Sequence, residues 1–324
     1  MRILVTGGAG YIGSHTVQLL RRAGHQPVIF DNFSTGRPEL VQAEEVIQAD
    51  LADRRALREA FGRQHFEAVL HFASLIQVGE SFSDPQKYYQ HNLVNSLNLL
   101  EAMLAAGVNK LIFSSSAAVY GLPRQIPITE DHPLEPANPY GQTKFFLEKI
   151  MQEYDRAYGL RSIALRYFNA AGADPEGRLG EMHEPETHLI PNILNFLLGR
   201  KGQLELFGTD FETPDGTAIR DYIHVTDLAE AHVLALERLA AGGRSEALNL
   251  GTNRPTSVME IIKKAEEVTG RKVAFSARPR RRGDVPVLLA SKEKAAAALG
   301  WKLRYSDLET ILGTAWAWHR KIIS

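Results

Sequence analysis

The chain has 324 residues, 44% hydrophobic and 23% charged, which is enough apolar material for one large domain or two unequal ones. A formal net charge of −1 offers no global field to recruit nucleic acid or an anionic membrane, so neither partner is expected. Cysteine is absent, which excludes a disulfide framework and a thiolate metal site and suits a reducing compartment.

A strand is predicted from the first residues, Met1-Arg2-Ile3-Leu4-Val5-Thr6, which leaves no room for the cationic and apolar regions of a signal peptide. No apolar run approaches the ~18 residues of a membrane span, and a cytoplasmic protein is expected. Further strands are predicted at Pro27–Phe30, Glu45–Ile47, Ala68–Phe72, Leu111–Ser115 and Ser162–Tyr167. Helices are predicted between them near Gly13–Ala23, Arg54–Phe61, Gln90–Ala106 and Gly141–Tyr158. This alternation implies right-handed crossovers and a parallel sheet covered on both faces, as the nearly continuous apolar character of the strands requires.

After Asn169 the rhythm breaks. Residues 170–186 are rich in Gly, Pro, Glu and His and read as a long loop. A helix (Leu189–Leu198), short strands (Leu204–Phe207, Leu248–Leu250) and helices near Thr226–Leu239 and Ser257–Thr269 follow, with a short helical patch at Ala295–Ala298.

The run Thr6-Gly7-Gly8-Ala9-Gly10-Tyr11-Ile12-Gly13 stands directly after a strand and opens a helix. Gly7, Gly10 and Gly13 permit a tight turn, close backbone approach to a pyrophosphate and close helix–strand packing, with the helix N-terminus facing the phosphate charge. This pattern predicts a Rossmann-type, doubly wound α/β fold, with a cofactor domain at residues 1–169 and a smaller C-terminal α/β lobe at 170–324. Asp31, at the end of the second strand, stands where a carboxylate accepts hydrogen bonds from the adenosine ribose, and its charge would repel the extra phosphate of NADP; the expected cofactor is NAD. Asp50 and Leu51, after the third strand, are placed to meet the adenine.

Of ten tyrosines only Tyr140 has a lysine four residues on, Lys144, which puts both side chains on one helix face. An ammonium ~5 Å from a phenol at an effective dielectric of about 20 favours phenolate by ~3 kcal/mol, or ~2 pKa units. That would bring a group of ordinary pKa ~10 toward use as a base near neutrality. Upstream, Ser114-Ser115-Ser116 closes a strand of the same sheet and can hydrogen-bond a reacting hydroxyl.

With these motifs in place the chain resembles the nucleotide-sugar epimerases of the extended short-chain dehydrogenase/reductase family. The resemblance runs nearly end to end: the glycine turn, Asp31-Asn32, His71-Phe72-Ala73, Val78-Gly79-Glu80-Ser81, Ser114–Gly121, Tyr140-Gly141-Gln142-Thr143-Lys144, Arg166-Tyr167-Phe168-Asn169, Arg220–Val225 and Arg281-Arg282-Gly283-Asp284. It implies Ser116, Tyr140 and Lys144 as the catalytic group. It also implies Tyr11, Ile12, Asn32, Phe72, Ala73, Ser74, Asn92, Ser114 and Tyr167 beside NAD, with the turn glycines, Asp31, Asp50 and Leu51. Around a UDP-sugar it implies Asn169, His188, Leu189, Phe207, Arg220, Tyr222, Arg281, Asp284 and Leu288, together with Ser116 and Tyr140. Two arginines suit a diphosphate, Asp284 suits ribose hydroxyls and Phe207 suits stacking on uracil. The implied reaction is reversible 4-epimerisation of a UDP-hexose, and the implied assembly is a homodimer through Gln90–Ala106 and Gly141–Tyr158.

Two positions depart from the family pattern. Ile76 stands where many members carry a lysine near the cofactor phosphates, and Leu288 where several carry a tyrosine beside the sugar. Dehydratase and decarboxylase relatives place acidic residues just after the strand-end serines, where this chain has Ala117 and Ala118. A non-catalytic, NAD-sensing protein of this fold would tend to lose the tyrosine or the lysine, and both are kept. Epimerisation of a UDP-N-acetylhexosamine or UDP-pentose is the remaining alternative. His183 and His188 lie among Glu181, Glu184 and Glu186, but hydride chemistry needs no metal and none is expected.

Overall fold

The apolar runs of the first half become strands because both faces of each are covered by helices. The structure is a computed structural model that describes residues 1–281 and 283–322; Arg282, of the Arg281–Asp284 motif, lies outside the described residues. In chain order the first half comprises β1 (Arg2–Thr6), α1 (Tyr11–Arg22), β2 (Gln26–Asp31), β3 (Glu45–Gln48), α2 (Arg54–Arg63), β4 (Ala68–His71), α3 (Val78–Ser83), α4 (Pro85–Tyr88), α5 (Asn95–Ala105), β5 (Lys110–Ser116), α6 (Pro139–Tyr158) and β6 (Arg161–Tyr167). The second half adds β7 (Asn169–Ala171), α7 (Leu189–Leu197), β8 (Leu204–Phe207), β9 (Ile219–Arg220), β10 (Tyr222–His224), α8 (Val225–Ala240), β11 (Glu246–Leu250), β12 (Thr256–Ser257), α9 (Val258–Thr269), β13 (Phe275–Arg278), β14 (Val287–Leu288), α10 (Glu293–Leu299) and α11 (Leu308–Lys321).

Seven strands form one parallel sheet in the order β11-β6-β5-β4-β1-β2-β3, a doubly wound Rossmann-type arrangement. Successive side chains of a strand point to opposite faces, and β1 divides accordingly. Ile3 and Val5 join Val17 and Leu20 of α1 and Leu228 and Leu236 of α8 in one core layer. Leu4 joins Leu57 of α2, Leu99 and Met103 of α5 and Leu147 of α6 in the other. The second half thus supplies both an edge strand, β11, and a covering helix, α8, to the sheet built by the first.

Beyond the sheet, α7, α9 and α11 pack on β8 around a separate core that includes Ile193, Leu194, Leu206, Ile261, Ile311 and Leu312. Strand pairs here are short: β7 with β10, β8 with β13, and β9 between β12 and β14. Strands of two or three residues carry no readable periodicity, and the sequence pattern did not predict them, nor α11. The helix expected from Gln90 as one α-helix instead opens with a π-helical segment, Tyr89–Val94, before α5. Within it the Asn92 amide accepts from Leu75 N (2.8 Å) and donates to Leu75 O (2.9 Å), and this tertiary pairing accompanies the departure from α geometry.

The glycine turn depends on contact rather than conformation at Gly13, where an added Cβ would stand 2.2 Å from the Gly7 carbonyl oxygen. Backbone cannot yield as a side chain does, so Gly13→Ala should cost roughly 1–3 kcal/mol. A loss of at least about 2 °C in the melting temperature is expected for a chain of this size, and unchanged melting would refute the packing argument.

Candidate functional site

At the carboxyl edge of the sheet, where strand order reverses between β1 and β4, lies a cavity of about 390 Å³. Gly7, Gly10, Tyr11, Ile12, Gly13, Asp31, Asn32, Asp50, Leu51, Phe72, Ala73 and Ser74 all line it, as do Ser114, Ser116, Tyr140, Tyr167, Asn169, His188, Leu189 and Tyr222. Residues far apart in sequence therefore meet as expected. The Asp31 carboxylate accepts from Ala9 N (3.0 Å) and Phe33 N (2.9 Å), which fixes the glycine turn while leaving lone pairs for a ligand. Burial raises its pKa and those two amides oppose the rise. Asn32 donates to Asp50 (2.6 Å), tying the ends of β2 and β3 together. The narrow glycine turn at the start of α1 and an acidic group at the end of β2, on one cavity wall, fit an extended dinucleotide.

Tyr140 is placed by the start of α6. Pro139 occupies the first turn, Asn138 accepts from Gly141 N (2.8 Å), and a Cβ on Gly141 would stand only 2.5 Å from Ala118 O. The helix therefore approaches the turn after β5 closely, bringing Tyr140 to Ser116, whose hydroxyl favours the ionised phenol. Lys144 lies one turn on, Nζ 5.7 Å from the Tyr140 ring centre and donating to Ser114 O (2.9 Å). Lys144 does not line the cavity; it is buried behind the phenol.

The electrostatics correct the sequence expectation of a phenol lowered by its lysine. Burial raises the Tyr140 pKa, with Ser116 opposing, and burial pushes Lys144 down to about 7 against the pull of Glu148. Both charged forms lose water on burial, and that loss is the largest influence on each. A lowered lysine keeps its proton below about 7 and sheds it above, so the ammonium is already titrating near neutrality. Tyr167 meets Ser114 through a hydroxyl–hydroxyl hydrogen bond beneath the same cavity wall.

Seven expected residues do not line this cavity. Besides Lys144, Asn92 is buried and spent on Leu75, so it shapes the loop after β4 from behind. Phe207, Arg220, Arg281, Asp284 and Leu288 gather separately around β8, β9 and β14, whose short pairings belong to the second lobe. There the Arg281 guanidinium lies 4.2 Å over the Phe207 ring, and Arg220 pairs with Asp284 at 3.4 Å while donating to Val285 O (2.8 Å). Leu288 sits opposite Arg220 in register and packs with Tyr120, Ile128 and Phe168.

The loop over residues 170–186 contributes more than its polar composition promised. Glu181, His183, Glu184 and Pro185 line the cavity, and Arg37 anchors the loop by donating to Met182 O (3.1 Å) and Glu184 (3.1 Å). Glu181 pairs with His183 at 2.9 Å and His188 at 2.6 Å; burial opposes the charge on His188, but Glu181 and Glu186 hold it protonated. The ligand atoms of Glu181, His183, Glu186 and His188 lie within 4.8 Å of one another, held together by these carboxylate–imidazole contacts. The repeated Glu and His of this segment were the available signal. Glu80, from the Val78–Ser81 motif, also lines the cavity, as do Tyr88 and His91, which no local motif marks. Ile76 lines it too, with 40% of its surface exposed, an apolar group where the family pattern has a cation.

Residues 3–251 match the model of the NAD dependent epimerase/dehydratase family, and the chain belongs to that family. A protein of Rhizobium leguminosarum bv. trifolii named UDP-glucose 4-epimerase is 50% identical over 319 residues, covering 98% of this chain and 97% of the relative. The crystal structure of UDP-glucose 4-epimerase from Brucella ovis in complex with NAD superposes with a TM-score of 0.95 at 50% identity, over 97% of each chain. That of the Bifidobacterium longum UDP-glucose 4-epimerase with NAD+ and UDP gives 0.94 at 36% identity, over 99% of this chain and 98% of the other. The protein is an NAD-dependent enzyme of this family, and no helix among its described residues is long and apolar enough to cross a membrane.

Asp31 lines the cavity at the end of β2, where the sequence reading expects the adenosine ribose. NAD should bind more tightly than NADP, and Asp31→Ser should narrow that preference by at least ~10-fold, or ~1.4 kcal/mol. Titration calorimetry with both cofactors checks this, and an unchanged ratio assigns the preference elsewhere.

Proposed function

We propose that the protein interconverts UDP-galactose and UDP-glucose by reversible oxidation at C4 of the sugar. The observation that carries the reading is one cavity lined together by the glycine turn, Ser116, Tyr140, Asn169, Tyr222 and His188. The names of the relatives support it, as does the UDP held by the Bifidobacterium longum enzyme. Bound NAD supplies the hydride acceptor and, in the second half of the cycle, the hydride donor, so no net redox change occurs.

The chain's own residues supply the proton chemistry. Tyr140 Oη takes the proton of the sugar 4-hydroxyl and later returns one to the same oxygen, once the oxidised sugar has turned its other face. Ser116 hydrogen-bonds the reacting oxygen, and Lys144 steadies the phenolate from behind. Asn169, His188, Leu189 and Tyr222 hold the substrate on the cavity side. Phe207, Arg220, Arg281 and Asp284 hold uridine and diphosphate from the second lobe, residues 170–324. Firm attachment to UDP and few contacts to the hexose let the oxidised sugar turn over within the site. Ala117 and Ala118 leave no acid beside Ser116 for a dehydratase or decarboxylase. The reading includes a cytoplasmic homodimer through α6 and through α5 with the π-helical segment before it, where Val94, Phe146 and the 62% exposed Tyr158 present apolar surface.

Tyr140→Phe should lower turnover of UDP-galactose by at least ~10² while leaving UDP affinity nearly unchanged. A coupled assay with calorimetric UDP titration reads both, and near-normal turnover removes Tyr140 from the chemistry.

Leu288 favours an extension of the reading to N-acetylhexosamines. Leu288 packs against the Val119, Tyr120 and Ile128 cluster, and a tyrosine there would bring a larger ring into the same packing. Overpacking a rigid site costs about 1–3 kcal/mol, or roughly 5- to 150-fold in rate. Leu288→Tyr should therefore depress kcat/KM for UDP-N-acetylgalactosamine by a factor in that range relative to UDP-galactose. An unchanged ratio means another residue sets the sugar range.

A further inference from the structure

Behind the phenol and the lysine lies a buried ion pair for which the chemistry proposed above has no use. Glu148 and Arg166 are 3% and 4% exposed. Glu148 Oε1 accepts from Ser115 Oγ (2.5 Å) and Arg166 Nε (2.9 Å), and Arg166 also donates from a terminal nitrogen to Oε2. Arg166 donates onward to Tyr120 Oη (2.8 Å), which donates to Asn249 Oδ1 (2.7 Å). The pair thus joins α6 to β5, β6 and β11 at the level of the catalytic group. Ser115, its partner on β5, stands between Ser114, which receives the Lys144 ammonium, and Ser116, which faces Tyr140.

Glu148 also lies one helical turn beyond Lys144, on the same face. Two cations, Lys144 and Arg166, therefore share a junction that water does not reach. An arginine does not lose its proton in a protein, whereas a lysine does so readily when buried. Charge imbalance in this junction therefore falls on Lys144. We propose that Glu148 is a positioning residue for the epimerisation: by neutralising Arg166, it lets Lys144 remain an ammonium beneath Tyr140. The proposal rests on the reading of Tyr140 and Lys144 as the reacting pair.

The other groups around this junction do not substitute for the carboxylate. His71 of β4 is neutral, its pKa pushed down to about 3 by burial and by Lys144, and it is bonded to Thr6 and Ser96. Tyr167 of β6 and Tyr120 are phenols that burial raises further. Tyr88 of α4 is likewise raised by burial and by Glu80. Glu130 accepts from Asn249 N (2.7 Å), and its pKa is raised by burial. Glu148 is the carboxylate that acts on Lys144, opposing the burial that lowers it.

A merely structural ion pair and a charge-setting one differ in sign. Glu148→Gln leaves two cations, so the alkaline limb of kcat should move down by about one pH unit, with kcat at pH ~8 reduced ~10-fold and KM for UDP-galactose within about 2-fold. Arg166→Gln leaves the carboxylate to Lys144 alone, and the same limb should move up. A purely structural role lowers kcat in both variants without opposite displacements, and that result overturns the proposal, as does an unmoved limb in either. Melting temperature and bound NAD establish that each variant is folded. Should Glu148→Gln not fold, Arg166→Gln remains decisive: an upward shift supports the proposal, and no shift or a downward one overturns it. Tyr140→Phe separates the two levels. Turnover surviving in that variant overturns the parent reading and this inference with it, whereas an inactive Tyr140→Phe with unmoved limbs overturns this inference alone.

Discussion

Every strand of the central sheet runs the same way, so every loop that follows a strand opens on one edge. The order reverses between β1 and β4, and the loops on either side diverge there. That divergence opens the cavity lined by the glycine turn, by Ser114 and Ser116 at the end of β5 and by Tyr140 of α6. No local feature of those segments requires them to meet. Parallel pairing needs covered crossovers, covered crossovers need helices on both faces, and the reversal then leaves a crevice at the carboxyl edge.

Within that frame the reacting group sits where burial and charge compete. Tyr140 and Lys144 are close enough to favour each other's ionised forms, but both have left water to meet. The loss of hydration raises the phenol and lowers the lysine, so proximity alone does not prepare a base. The charges behind them matter for this reason. A buried ion pair adds little net stability compared with an apolar replacement, so the weight of the Glu148–Arg166 pair beside Lys144 lies in its charge rather than in folding energy.

The two lobes divide the remaining work. The first-half strands and α1 present a narrow, conformationally restricted turn that suits one ligand. The second lobe holds its aromatic and cationic groups on short, separate strand pairs, with Arg281 stacked on Phe207 and Arg220 against Asp284. The loop ending at His188 lies between them and is tied back to the first half through Arg37.

Much of the fold was legible in the sequence, because apolar strands of four to seven residues and amphipathic helices carry a period that survives without context. The six first-half strands, the glycine turn, the acidic end of β2 and the Tyr140–Lys144 spacing are local patterns, and each is found where local reasoning places it. Strands of two or three residues, α11 and the π-helical turn at Tyr89–Val94 were not legible, since their conformation comes from partners distant in the chain, such as Leu75 for Asn92. The same holds within the site. The sequence by itself determined which groups could do the chemistry and in what order along the chain. Only the tertiary structure decided that Lys144 is hidden, that Asn92 is spent on backbone, that Glu181 and His183 join the cavity wall and that Arg220 and Arg281 do not line it. Identity and spacing are properties of a chain, but desolvation and charge state belong to the volume that the folded chain encloses.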